Sequence, residues 1–65
     1  MEGEFDYKDI VLGKKYKDAV TGFIGTATAK AEYQFDHPSI QLESMVDGKP
    51  AREWYSLPRI SRAYV

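Results

Sequence analysis

Residues able to do chemistry are few in this chain, and they fall in two places. The single histidine, His37, stands between Asp36 and Pro38. A histidine beside a carboxylate is the smallest unit that can shuttle a proton. One of each is too few for a metal site, and the chain has no cysteine to complete one. A solvated loop histidine is the simpler reading. Enzymes also need a positioned nucleophile or acid–base pair, and none is spelled out. A non-enzymatic protein without metal or cofactor is therefore expected. Gly22 and Gly25 stand too close together for a phosphate-cradling loop and open no helix.

The second place lies near the C-terminus, where Trp54 and Tyr55 are flanked by Arg52, Arg59 and Arg62. These are the residue types that most often anchor protein interfaces. Aromatic faces beside guanidinium groups also stack bases and hold phosphates. Three roles are open to such a surface. It can contact protein, either a partner or further copies of the chain in a homo-oligomer. It can hold a small nucleotide between subunits, sequestering it. It can bind single-stranded nucleic acid, which the net charge of -1 disfavours because a basic footprint is the first sign of that role. Against all three stands a plain alternative, in which one aromatic is core and the arginines only solvate the surface. Protein binding is the preferred expectation.

Size and composition set the frame for that surface. A chain of 65 residues makes one small domain, which buries only about 60% of the surface its unfolded form exposes. No apolar run approaches the length needed to span a bilayer, and the start MEGEFDYKD is acidic where a targeting peptide is basic. The cytoplasm is the expected location. Acidic residues crowd the first nine positions, whereas Lys49, Arg52, Arg59 and Arg62 gather toward the end. The two ends either pair, within or between chains, or form two solvated faces. Aromatic residues make up 14% of the chain, too many for so small an interior, so several must lie on the surface.

The element that positions everything else is the stretch from Thr21 to Tyr33, TGFIGTATAKAEY. Read with a period of two, one face carries Phe23, Gly25, Ala27, Ala29, Ala31 and Tyr33, and the other Ile24, Thr26, Thr28, Lys30 and Glu32. The first face is apolar and should point inward, while the lysine face stays wet. Little bulk along the middle allows sharp bending, or close approach of another backbone. A helix is disfavoured by the glycines and threonines and by the lack of an apolar stripe. Before it, residues 1–8 are expected to form a flexible acidic start, with Phe5 and Tyr7 its contacts. Residues 9–65 should form a single barrel domain. Residues 14–20 read as a strand with Tyr16 and Val20 inward, and Thr21-Gly22 as a bend. Ser39 to Val46 alternates, with Ile40, Leu42 and Val46 on one face. Asp47-Gly48 is a hairpin turn. The return strand, Ala51 to Leu57, sends Trp54 and Tyr55 to opposite faces, one to the core and one to solvent. Pro58-Arg59-Ile60 suggests a tight turn, and Ser61 to Val65 a closing strand. The expected fold is all-β, a small SH3-like barrel of four or five short antiparallel strands with little or no helix.

The stretches Gly13 to Tyr33, Ile40 to Pro50 and Trp54-Tyr55 resemble a group of short phage and prophage proteins of unassigned function. That group has a lysine-rich lead-in, a TGF-x-G-x-A-T-A-x-x-EY strand, an apolar strand, a D-G-K turn and an aromatic pair beginning with Trp. Where such proteins often carry a cysteine after the EY loop and an acidic segment after the Trp pair, this chain has Pro38-Ser39 and Ser56-Leu57-Pro58. The resemblance implies a phage accessory protein acting in the host cytoplasm, and brings no catalytic residue with it.

Overall fold

The computed structural model describes residues 5–63. Five strands form one antiparallel sheet: β1 Lys15–Asp18, β2 Ile24–Ala31, β3 Ser39–Val46, β4 Lys49–Ser56 and β5 Ile60–Arg62, in the order β4-β3-β2-β1-β5. Among the described residues the only helical pieces are single 3₁₀ turns, Tyr7–Asp9 and Leu57–Arg59. The fold is all-β and barrel-like, as the alternation and short connections predict.

β2 is the strand that curls the sheet. Its first half pairs with β1, Tyr16 opposite Gly25, and its second half pairs with β3, Lys30 opposite Ile40. Gly25 makes the bend possible. A Cβ built there would stand 2.9 Å from the Glu43 carbonyl oxygen and 3.0 Å from its amide nitrogen, so β3 crosses where only hydrogen fits. At the other end the Leu57–Arg59 turn carries the chain from β4 to β5, which pairs with β1 and wraps the sheet round its contents.

The core is Ile10, Tyr16, Ala27, Ile40, Leu42, Tyr55, Leu57 and Ile60, with Phe5, Tyr7 and Phe23 packed against it. Packing thus begins before residue 9: Phe5 meets Tyr16 edge to face at 5.4 Å, and the Tyr16 hydroxyl accepts the Val11 amide at 2.9 Å. Residues 1–4 of the expected flexible start, and the last two residues of the expected closing strand, lie outside the described residues.

Two inward assignments are corrected. Val20 is 72% exposed, because the chain turns at Asp18 with Gly22 N–H donating to the Asp18 carbonyl, and leaves the strand before Val20 is reached. The single alternation from Phe23 to Tyr33 also breaks. The β2–β3 register shifts between Ala27 and Ala29, a bulge at Thr28 that reverses which residues face in. Gly25 and Ala27 face the interior as expected. Beyond the bulge, Lys30 takes the place opposite buried Ile40, Ala29 falls opposite Gln41 on the outer face, and Tyr33 is exposed. Lys30 spans the barrel end, its Nζ donating to the carbonyls of Tyr7 at 3.2 Å and Ile10 at 3.0 Å and lying 4.4 Å from the Tyr7 ring centre.

Candidate functional site

The β3–β4 hairpin carries the aromatic pair. Asp47 and Gly48 both have positive φ, 52° and 78°, as a two-residue type I′ turn requires. From that turn the register runs Val46–Lys49, Glu43–Arg52, Gln41–Trp54, Ile40–Tyr55. Directly opposed residues share a face. Tyr55 therefore falls with Ile40 and is 9% exposed, while Trp54 falls with Gln41 and is 49% exposed. Tyr55 is the core member of the pair, packed against Phe23 at 5.9 Å, and Trp54 is the surface member.

Arg52 lies two residues from Trp54 on the same outer face and opposite Glu43. These two residues form the part of the candidate surface that the fold brings together. Arg59 is engaged elsewhere. Its Nε and Nη2 each donate to Asp18 at 2.8 Å, and its guanidinium lies 5.3 Å from the Tyr55 ring centre. Arg62 sits on β5 opposite Tyr16, by a concavity of about 320 Å³ lined also by Phe5, Asp9, Lys14 and Lys15. Acidic Asp9 and basic Arg62, from the two ends of the charge distribution, thus line one concavity. In the sheet order β5 and β4 are at opposite ends.

Asp18 is the charged residue that sequence reasoning passed over. It is wholly buried and accepts the Thr21 amide at 2.9 Å and the Thr21 hydroxyl as well as both Arg59 bonds. Burial alone raises the carboxyl pKa, but the Arg59 and Thr21 hydrogen bonds outweigh it and hold it at about 2 against an ordinary 3.8. Arg59 is raised in return by its hydrogen bonds to Asp18. The pattern Asp18-x-x-Thr21-Gly22 was the available signal, since an Asp opening a turn caps the amides that follow it. This clasp ties β1, the Thr21 turn and the Leu57–Arg59 turn together.

A concavity of about 800 Å³ lies on the outer face over Lys15, Ile24, Thr26, Thr28, Glu43 and Met45. Thr28 donates there to the Gln41 side-chain oxygen at 3.1 Å. His37 is exposed on the β2–β3 loop, its amide bonded to the Asp36 carboxylate at 2.7 Å. Among the described residues no cluster of three or more His, Cys, Asp or Glu side chains is placed to hold a metal ion. No helix of the described residues is long and apolar enough to cross a membrane. No family model, no curated protein and no solved structure matches this chain.

Proposed function

We propose that this chain is a non-enzymatic phage accessory protein of the host cytoplasm that works by binding protein, itself included, through the outer face and edge of β4. The observation carrying the reading is Trp54, half-exposed beside Arg52 on an end strand of the sheet. Removing a tryptophan from water stabilises an interface more than almost any other residue does, and an unpaired strand edge invites a further strand. Tyr33, Phe35, Met45 and Val46 add exposed apolar surface, Phe35 at 92%. The phage assignment rests on the sequence resemblance.

A second reading is supported by the 800 Å³ concavity, where Lys15, Thr26 and Thr28 offer a cation and hydroxyls to a small nucleotide. Glu43 on the same wall opposes a phosphate, which places this reading second.

Light scattering over a concentration series tests self-association, and affinity capture comparing wild type with Arg52→Ala/Trp54→Ala tests partner binding. The reading expects mass to rise with concentration, and a captured protein to be lost in the double variant. A strict monomer whose captured proteins are unchanged by the variant contradicts it. A thermal-shift screen with mono-, di- and cyclic nucleotides separates the second reading, because a ligand of the folded state must raise its melting temperature.

A further inference from the structure

We propose that β4 pairs antiparallel with β4 of a second copy about a two-fold axis at Trp54, joining two sheets into one. The proposal rests on the protein-binding reading and specifies its surface, partner and register.

Backbone direction is the first support. A two-residue hairpin turn makes its flanking residues, Val46 and Lys49, the hydrogen-bonded pair. Odd-numbered residues of β4 then aim their amides and carbonyls at β3, and even-numbered residues aim theirs away. Leu57 agrees, its amide donating to the Pro38 carbonyl at 2.8 Å on the β3 side. Among the described residues β3 is the only strand beside β4. Arg52, Trp54 and Ser56 thus present their amides to an edge with no strand on it.

The prolines set the window. Pro50 falls on the outward phase and Pro58 follows the strand, and neither has an amide hydrogen to give. Both ends of the edge are blunted, which leaves a window centred on Trp54. A strand pairing about that centre sets Trp54 opposite the second copy's Trp54 and Arg52 opposite its Ser56. All the outward amides are then used, and the ladder stops where proline faces proline.

Charge disfavours the registers centred one and two residues earlier and suits this one. Centring on Glu53 would oppose two carboxylates and centring on Arg52 two guanidinium groups, and like charges directly opposed destabilise a strand pair. Centred on Trp54, Glu53 faces the second copy's Tyr55, whose ring carries Arg59. The anion of one copy then meets the cation of the other, twice by symmetry.

Sedimentation equilibrium of the full chain, with circular dichroism as the check on folding, tests the pairing. Wild type should dimerise, and Trp54→Lys, which places two cations at the axis, should weaken the dimer at least tenfold while folding normally. Glu53→Lys, which sets a cation against Arg59, should also weaken it, and more so at low salt. Independently, Trp54→Cys should form a disulfide dimer under mild oxidation. Hydrogen-bonded opposed residues stand about 5.5 Å apart at Cα, within the disulfide range, and the chain has no other cysteine. Val20→Cys, more exposed than position 54 but on the β1–β2 turn, should not. A monomer at every concentration overturns the pairing together with the self-association it rests on. A dimer that survives Trp54→Lys and does not cross-link at position 54 overturns the pairing alone.

Discussion

At the scale of single residues, Asp18 shows how a buried charge is kept. Its four hydrogen bonds come from Thr21 and Arg59, and without them a carboxylate in the core would be protonated or expelled. Asp18→Asn keeps the volume but loses the acceptor facing Arg59, so it should cost roughly 2 kcal/mol in urea unfolding. Because the folded pKa is depressed, the stabilisation is complete above the ordinary value of 3.8 and is lost as pH falls toward about 2. The melting temperature of wild type should drop across that window, and in Asp18→Asn this part of the drop should be missing. Gly25 gives a second test at this scale. A methyl group there meets backbone of β3 rather than a movable side chain, so Gly25→Ala should destabilise by about 1–3 kcal/mol. An unchanged denaturation midpoint would contradict the close crossing.

At the scale of elements, the bulge in β2 decides what the strand can bury. Alternation made Gly25 and Ala27 legible as interior positions, because nothing interrupts the pairing there. It misplaced Ala29, Ala31 and Lys30, because one extra residue at Thr28 flips the parity and no residue type announces it. Lys30 is tolerated at an inward position because its stem lies along apolar surface while Nζ reaches two carbonyls. It therefore fastens the N-terminal turn to the barrel. Lys30→Met keeps the stem and removes the donor. It should leave the sheet intact and raise amide exchange around Tyr7 to Val11, read by hydrogen–deuterium exchange. The hairpin turn at Asp47-Gly48 and the turn at Leu57–Arg59 were legible for the opposite reason, since glycine and proline state their backbone needs in the sequence.

At the scale of the whole molecule, a small domain has not enough interior for its aromatics, and the sheet order leaves β4 at an end. The choice between Trp54 and Tyr55 was not legible, since both occupy one strand and only the register against β3 says which faces Ile40. The pairing of Arg59 with Asp18 was not legible either, for a similar reason. The two are distant in sequence, and only barrel closure brings them together. What remains at the surface is a strand edge with Trp54 at its middle, and the account holds that this edge is where the protein meets protein. Amide exchange measured by NMR at low and high protein concentration tests that most directly. At low concentration Glu53 and Tyr55, bonded to β3, should be protected while Arg52, Trp54 and Ser56 exchange freely. At high concentration those three should become protected together. If they exchange freely at every concentration, or are already protected in the isolated monomer, β4 is not the edge through which this chain associates.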